Sequence, residues 1–299
     1  MIRIGPAGWT YKDWKGIVYP VRRPRGFQEL SFLAEFFDTV EINTSFYRPV
    51  SPRMASSWVE KVEKNNRFRF TAKLWRGFTH DRIATDSDEQ HVKEGFAPLL
   101  EAERLGAVLL QFPWSFQNTA ENRAYLAKLR DQFADYPLVL EIRHASWNEA
   151  SVLNMLEQLG IGLCNIDQPV FENSIAPAAF TTSRIGYVRL HGRNYESWWS
   201  GSQYAGQRYD YLYSGEELKE WLDRIKAVGH AATETYVIAN NTYKGKGIVN
   251  ALELAALLTE KPVNAPRSLL EAYPALAEFT VPNEASASLL PLAYPSKTR

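Results

Sequence analysis

The segment Leu138-Val139-Leu140-Glu141-Ile142-Arg143-His144 combines an apolar strand with charged residues at its end. Residues two apart on a strand point to the same face, so Glu141 and Arg143 share one face, and three apolar side chains share the other. A strand that is covered on both faces is usually apolar throughout. Two opposite charges on one face, followed directly by His144, therefore indicate a polar site built where this strand ends.

The same pattern recurs along the chain. We predict eight strands, beginning near residues 2, 39, 68, 107, 138, 161, 186 and 236, each followed by a helix or by a connection long enough to hold one. Alternating strands and helices indicate a parallel sheet. Eight units in this length fit a closed (β/α)8 barrel, for which about 250 residues is typical. A doubly wound open sheet is the alternative.

We therefore predict an α/β protein with a single (β/α)8 TIM barrel over residues 1–262 and a C-terminal extension over residues 263–299. The extension should hold one helix, near residues 268–279, and then a loosely ordered tail. Helix ends are indicated by Ser51-Pro52, which is typical of a helix start, and by Gly160, which is typical of a helix end. We expect a longer helix over residues 27–37, where apolar residues recur at helical spacing.

The composition limits the classes of partner. The 299 residues include 34 Lys and Arg and 34 Asp and Glu, so the formal net charge is zero. This balance argues against a general nucleic-acid coat or a membrane-surface binder, but it allows a local basic cleft. The single cysteine, Cys164, excludes an intramolecular disulfide and fits a reducing compartment. With no signal peptide and no long apolar run, we expect a cytoplasmic protein that does not bind membranes.

Polar residues occur at the ends of seven of the eight predicted strands. In a barrel of this type the carboxyl ends of the strands form the working face. The residues at these ends are Glu41, Asn43, Lys73, Gln111, Glu141, Arg143, His144, Asn165, Asp167, Arg189, His191, Asn240 and Asn241. We expect them to converge at one mouth of the barrel. A self-neutralising lattice is the structural alternative, but buried ion pairs stabilise a fold poorly compared with apolar packing.

The residue types suggest roles at this mouth. The candidate catalytic residues are Glu41, Glu141, Asp167 and His191, which can exchange protons or orient their partners. Lys73, Arg143 and Arg189 could hold an anion and stabilise developing negative charge. The other candidate substrate-binding residues are Trp9, Tyr11, Asn43, Tyr47, Gln111, His144, Trp147, Asn240 and Asn241, and their aromatic members could stack on a ring.

Two further possibilities stay open. Glu141, Asp167 and His191 could together hold a divalent metal, although no two histidines lie at ligand spacing and the eighth strand offers only amides. We therefore assign no metal site and leave the cofactor unknown. The aromatic loop around Trp198-Trp199 could stack on a base or a sugar ring, or could be an interface. Cys164 has the opposite strand parity from Asn165, which predicts that its side chain faces the helices.

Six segments resemble the YecE-like family, also known as domain of unknown function 72. They follow the family's order and span almost the whole chain. They are Gly8-Trp9-Thr10-Tyr11 with Trp14, Glu41-Ile42-Asn43-Thr44-Ser45-Phe46-Tyr47, Gln111-Phe112-Pro113, Glu141-Ile142-Arg143-His144 with Ser146-Trp147, Tyr187-Val188-Arg189-Leu190-His191-Gly192, and Asn240-Asn241 with Tyr243-Lys244-Gly245. The resemblance implies a (β/α)8 barrel with a site among these segments. It implies no particular reaction.

The leading functional hypothesis is an enzyme, either a hydrolase or an isomerase, that acts on a phosphate-bearing or nucleic-acid-like substrate in a charged cleft. The second hypothesis is a glycosidase that uses Glu41 and Glu141 as its carboxylate pair, which requires that neither is held by an arginine. The third is a non-catalytic module that binds nucleic acid or a partner protein.

Overall fold

The computed structural model describes residues 1–198 and 206–282. Within them, eight parallel strands form one sheet in the order β1-β8-β7-β6-β5-β4-β3-β2, so that strands consecutive in the chain lie side by side. The strands are β1 (Ile2–Pro6), β2 (Thr39–Ile42), β3 (Arg69–Lys73), β4 (Leu105–Gln111), β5 (Leu138–Glu141), β6 (Gly162–Asp167), β7 (Ile185–Leu190) and β8 (Glu234–Ala239). The predicted (β/α)8 barrel is confirmed.

The barrel closes between β1 and β2 through a short contact. Ala7 forms a single parallel bridge with Glu41, and the amide of Gly8 donates a hydrogen bond to the Glu41 carbonyl oxygen at 2.8 Å. Gly5 permits this approach, because a Cβ atom there would lie only 1.9 Å from the carbonyl oxygen of Thr39. The closure brings Glu41 beside the loop that follows β1.

Helices surround the sheet. They are α1 (Glu29–Leu33), α2 (Thr44–Tyr47), α3 (Pro52–Lys61), α4 (Arg76–Thr79), α5 (Asp86–Glu101), α6 (Ala120–Gln132), α7 (Ala150–Leu159), α8 (Gly215–Ala231), α9 (Lys246–Thr259) and α10 (Arg267–Ala272). The Ser51 hydroxyl caps α3 by accepting from the Met54 amide, and Gly160 ends α7 with φ of 65°, as the sequence predicts. Helix α1 is shorter than the predicted 27–37, and the four-residue helices α2 and α4 are not predicted.

The strands alternate between two apolar layers. Leu138, Leu140 and Ile142 belong to the outer core, between strands and helices, whereas Val139 belongs to the cluster inside the barrel. This is the alternation predicted for β5. Outward residues therefore hold the helices, and inward residues at the strand ends reach the mouth of the barrel.

Strand β6 has the opposite parity to the prediction. Cys164 pairs with Tyr187 and Ile166 pairs with Arg189, and all four side chains point inward, into the barrel. Asp167 consequently faces outward, beside Leu190 of the outer core. The expectation that Cys164 faces the helices is wrong, because the small thiol fills space beside the Tyr187 ring inside the barrel.

The C-terminal extension adds a two-stranded parallel sheet, β9 (Val263–Ala265) and β10 (Thr280–Pro282). Helix α10 lies between the two strands, and a 3-10 turn over Pro274–Glu278 replaces the second half of the helix predicted for residues 268–279. The extension packs on the barrel through Leu269, which is fully buried. The predicted loose tail, from residue 283, and Trp199 lie outside the described residues.

None of the helices in residues 1–198 and 206–282 combines the length and the apolar sequence that a bilayer-spanning helix needs.

Candidate active site

A buried charge network fills the carboxyl end of the barrel. Arg189, from the end of β7, donates through Nη2 to Oε1 of Glu41 at 2.8 Å and through Nη1 to Oε2 of Glu141. Nη1 also lies 3.3 Å from Oε1 of Gln111. The side chains of Arg189, Glu41 and Glu141 are all 0% exposed. One arginine thus links two carboxylates that are a hundred residues apart in the chain.

The remaining carboxylate oxygens are also bonded. Oε2 of Glu41 accepts from the Tyr187 hydroxyl at 2.9 Å. Oε1 of Glu141 accepts from Nη2 of Arg143 at 2.7 Å and lies 3.3 Å from Nε2 of His191. Both glutamates are therefore held by arginine and closed off from solvent. The condition set for the glycosidase hypothesis is not met.

His191 is neutral in this network. Burial lowers the pKa of His191 to about 3, and the attraction of Glu141 offsets only part of that effect. Nδ1 of His191 lies 2.9 Å from Nδ2 of Asn240, which can only donate, so Nδ1 accepts and the proton lies on Nε2, facing Glu141. Burial by itself would raise the pKa of Glu141, but the charges of Arg189 and Arg143 hold it well below its usual value.

A cleft of about 1120 Å³ opens next to this network. Its walls come from the loops after β1, β2, β3 and β8 and from residues 206–209. Lys73, Gln111 and Asn240 form the floor between the cleft and the buried charges. The cleft lies at the carboxyl ends of the strands, where barrels of this type carry their ligand sites.

The cleft is basic and aromatic. Among the described residues that line it, Asp13 is the one acidic residue, whereas five are Lys or Arg, namely Lys12, Arg48, Lys73, Arg76 and Arg208. Aromatic rings also line it: Trp9, Tyr11, Phe46, Tyr47, Trp58, Tyr209 and Tyr243. Tyr47 is largely exposed, with 69% of the residue accessible to solvent. Cations beside flat rings are suited to a ligand that joins an anion to a ring.

Lys73 connects the cleft to the charge network. Its side chain is 13% exposed, and its Nζ lies 3.7 Å from Oε1 of Glu41, too far for a hydrogen bond. Burial and the neighbouring Arg189 lower the pKa of Lys73 to about 8, although Glu41 and Glu141 act in the opposite direction. Lys73 is consequently a titratable group within reach of a ligand in the cleft.

Trp198 covers another side of the network. Its ring centroid lies 5.7 Å from the guanidinium carbon of Arg143 and 6.3 Å from the centroid of His191. Trp198 is itself buried. This tryptophan therefore shields Arg143 and His191, which do not line the cleft.

The predicted site residues fall into three groups. The structure brings Trp9, Tyr11, Asn43, Tyr47, Lys73, Gln111 and Asn240 to the cleft. It places Glu41, Glu141, Arg143, Arg189 and His191 in the network beneath and beside it. The other four, Asp167, Asn241, Trp147 and His144, lie elsewhere.

Asp167 and Asn241 point away from the mouth. Asp167 accepts from Nε of Arg193 at 3.0 Å, on the outer side of β6. Asn241 donates to Oδ1 of Asn250 on α9 at 2.9 Å. In both cases the strand parity turns the side chain toward a helix layer, where a polar partner satisfies it. The prediction that these two residues converge on the site is wrong.

Trp147 and His144 have local structural contacts. Trp147 is buried, stacks on Phe116 at 5.2 Å and donates its indole N–H to the Phe116 carbonyl oxygen. Nδ1 of His144 accepts from the Ser146 amide at 3.1 Å and caps the short 3-10 turn that follows. Neither residue lines the cleft, because the chain turns outward after β5.

The metal alternative required Glu141, Asp167 and His191 to meet at one point. Asp167 lies on the other face of β6, so this set of ligands does not assemble. Within residues 1–198 and 206–282, no group of three or more His, Cys, Asp or Glu side chains is placed to hold a metal ion. Glu141, Asp167 and His191 therefore do not form the divalent-metal site that the sequence left open.

The sequence prediction missed several residues of the cleft wall. Arg48, Arg76 and His80 line the cleft beside the short helices α2 and α4. Lys12 and Arg208 come from the loop after β1 and from the segment after the aromatic loop. One signal was available: basic and aromatic residues directly follow β2 and β3, as Phe46-Tyr47-Arg48 and Trp75-Arg76.

A family model and a related protein of known sequence both point to the same protein family. Residues 3–273 match the family described as "Protein of unknown function DUF72". The UPF0759 protein YunF of Bacillus subtilis is 30% identical over 285 residues, which cover 90% of this chain and 99% of that protein.

Solved structures agree with this match. A DUF72 family protein of Thermotoga maritima has a TM-score of 0.75 and 34% identity, covering 87% of this chain and 99% of its own. A DUF72 family protein of Enterococcus faecalis has a TM-score of 0.74 and 26% identity, covering 87% and 96%.

Proposed function

This chain belongs to the DUF72 family, as its resemblance to YecE-like proteins implied, and we propose that it is an enzyme that acts on a phosphate-bearing substrate in the cleft at the mouth of its barrel. The substrate would be a small phosphate ester, a nucleotide or a nucleic-acid-like chain. The reaction would be hydrolysis or isomerisation.

The excess of cations in the cleft carries this proposal. Five basic residues face a single described acidic residue in the lining, although the chain as a whole is neutral. Concentrating cations in a concave, partly desolvated site strengthens their attraction for an anion. Arg48 and Arg76 can offer planar guanidinium groups to phosphate oxygens.

The aromatic wall supports a ring-bearing substrate. Tyr47 is largely exposed, and Trp9 is held edge-on against Trp58 with ring centroids 5.4 Å apart. Held rings lose little conformational entropy when a flat ligand stacks on them. A nucleotide would therefore contact cations with its phosphate and these rings with its base.

Lys73 is the group we propose for proton transfer or charge stabilisation. Its pKa of about 8 is close to the pH at which a general acid or base works best. Burial and the charge of Arg189 lower the pKa of Lys73, Glu41 raises it in part, and the hydrogen bond between Arg189 and Glu41 keeps both in place below the floor. In this proposal they are positioning residues, since a ligand in the cleft does not reach them.

The proposal is tested by titrating matched ligand pairs into the full-length protein by calorimetry. AMP is compared with adenosine, and ribose phosphate with ribose. We expect the phosphorylated member of each pair to bind more tightly, and Lys73→Met or Arg48→Met to reduce that preference by roughly tenfold. Lys128→Met, at an exposed position on α6 away from the cleft, is the control.

Phosphorus NMR of the same mixtures reports the reaction. Hydrolysis would release inorganic phosphate, and isomerisation would shift the ester signal. Equal binding of phosphorylated and unphosphorylated members would overturn the proposed substrate class. Binding of phosphate esters without any reaction would overturn the enzymatic part and favour a non-catalytic binding protein.

A further inference from the structure

The amine of Lys73 is placed unusually for a lysine so close to carboxylates. Nζ makes no hydrogen bond to another residue in the described ranges, and Oε1 of Glu41 is 3.7 Å away. The oxygens of Glu41 are already bonded to Arg189 at 2.8 Å and Tyr187 at 2.9 Å. Each oxygen of Glu41 thus already accepts from one donor, and Nζ, which is too far from it for a hydrogen bond, stays available to the cleft.

The neighbouring charges favour the neutral amine. Burial, Arg189 and Arg143 all disfavour a second cation at this point, and the glutamates compensate only in part. An amine whose pKa falls from 10.5 to about 8 has a much larger neutral fraction near neutral pH than an exposed lysine. Only the neutral form carries the lone pair that attacks an electrophile.

The surroundings suit condensation with a carbonyl group. Nζ lies 5.8 Å from the centroid of Phe46, and His80 packs edge-on against the same ring, with 4.9 Å between the centroids. Burial lowers the pKa of His80, so this imidazole is largely neutral near neutral pH and can relay protons. Arg48 and Arg76 line the same cleft and could hold a phosphate group.

We propose that Lys73 forms an imine with the carbonyl carbon of a phosphate-bearing aldehyde or ketone bound in the cleft. The Nζ lone pair forms the C–N bond, and one of the two Nζ protons passes to the carbonyl oxygen to give a carbinolamine. A second proton, taken from solvent, converts the hydroxyl group to water, and the C–O bond breaks as the nitrogen lone pair forms the C=N bond. The iminium returns its remaining Nζ proton to solvent, which leaves the neutral imine. No oxidant or reductant is required. The choice of a phosphate-bearing carbonyl compound rests on the proposed function, but the amine chemistry does not.

The test is reductive trapping on the full-length protein with pyridoxal phosphate as the aldehyde and borohydride as the trap. Peptide mapping by mass spectrometry identifies which lysine is labelled. We expect one predominant adduct, on Lys73, formed at a rate that rises through about pH 8 and levels off above it. Surface lysines should label more slowly and without that plateau.

Three variants and one second probe make the test decisive. Lys73→Arg retains the positive charge but cannot form the imine, so the predominant adduct should disappear. Lys128→Met, at an exposed position, should leave it unchanged. His80→Gln should slow labelling without moving it to another residue. Pyridoxal lacks the phosphate, and its free hydroxyl closes on the aldehyde, which slows its reaction with every lysine. If the cleft cations hold the phosphate, the rate ratio of pyridoxal phosphate to pyridoxal should be at least about tenfold larger at Lys73 than at the exposed Lys128.

The outcomes separate the two proposals. Predominant labelling of Lys73 with a rate ratio of pyridoxal phosphate to pyridoxal no larger than that at Lys128 would support the imine and overturn the phosphate site. Tight binding of phosphate esters, with adducts scattered over surface lysines and none enriched at Lys73, would support the phosphate site and overturn the imine. Scattered labelling that Lys73→Arg leaves unchanged would overturn the imine whatever the binding data show.

Discussion

Arg189 donates a 2.8 Å hydrogen bond to Glu41 across the barrel, from β7 to β2, and both side chains are fully buried. The same guanidinium also holds Glu141. A buried ion pair contributes little net stability relative to apolar packing, but removing one partner leaves an uncompensated charge. Arg189 is thus the residue on which the arrangement of the mouth depends.

Arg189→Met should destabilise the protein by about 3–5 kcal/mol, because two carboxylates would lose their common partner. Adding Glu41→Gln and Glu141→Gln to that variant should recover part of the loss. Arg53→Met, at an exposed position on α3, is the matched control and should cost less than about 0.5 kcal/mol. Urea unfolding followed by circular dichroism measures all three. A loss below about 1 kcal/mol for Arg189→Met would contradict the network.

The lowered pKa of His191 predicts that the protein loses stability in mild acid. Its pKa is about 3 in the folded state against 6.5 for an unperturbed histidine, so below about pH 6.5 the unfolded chain binds a proton that the folded chain does not. The stability contributed by neutral His191 is complete above that pH and is lost as the pH falls toward 3. The slope should reach at most about 1.4 kcal/mol per pH unit.

Urea midpoints at about pH 7 and about pH 5 test this prediction. His191→Gln should flatten most of the slope between them. His80, whose pKa is also lowered, should leave a smaller remainder. Glu141 acts in the same direction only below its usual pKa of 4.5 and so contributes little in this window. His230→Gln, at an exposed position on α8, should keep the wild-type slope. An unchanged slope in His191→Gln would show that this imidazole is not buried neutral.

The barrel fold could be predicted from the sequence because each strand and each helix has its own hydrophobic pattern. Alternating apolar strands and amphipathic helices define the order of layers, and parallel connection brings all strand ends to one mouth. The meeting of Glu41, Lys73, Glu141 and Arg189 follows from strand parity alone, since each lies on an inward position at a strand end.

For β6, the sequence could not predict which residues face into the barrel and which face the helices. Its residues, Leu163 to Asp167, are all buried, so burial gives no contrast between its two faces. The side that each residue takes is decided by partners remote in sequence: Tyr187 beside Cys164, and Arg193 beside Asp167. Such partners carry no periodic signal.

The sequence also did not show which of the charged side chains at the mouth a ligand can reach. That Glu41 and Glu141 share Arg189, and so lie below the floor rather than in the cleft, depends on the reach of side chains across the barrel. The cleft walls come in part from α2 and α4, which are one turn long and too short to show a helical period. The sequence therefore indicated the mouth but not which of its charges a ligand meets.

Asp167 tests the corrected parity. Asp167→Asn should lower the free energy of unfolding by about 1–3 kcal/mol, because Arg193 loses a charged partner on the outer side of β6. The affinity for phosphate esters should stay within about twofold of wild type, since the residue does not line the cleft. Calorimetry and urea unfolding on the same preparation measure both quantities. A large loss of affinity at unchanged stability would return Asp167 to the site.

Tyr47 tests whether the cleft recognises a ring as well as an anion. With 69% of the residue exposed, Tyr47→Ala should change the stability by less than about 0.5 kcal/mol. It should weaken AMP by about 1–3 kcal/mol, the usual contribution of one stacked base, and leave ribose phosphate unaffected. Tyr47→Phe, which retains the ring, should bind both ligands like the wild type. Equal weakening of AMP and ribose phosphate by Tyr47→Ala would mean that the tyrosine shapes the anion site instead, and no effect on either would place the base against another wall, such as Trp9.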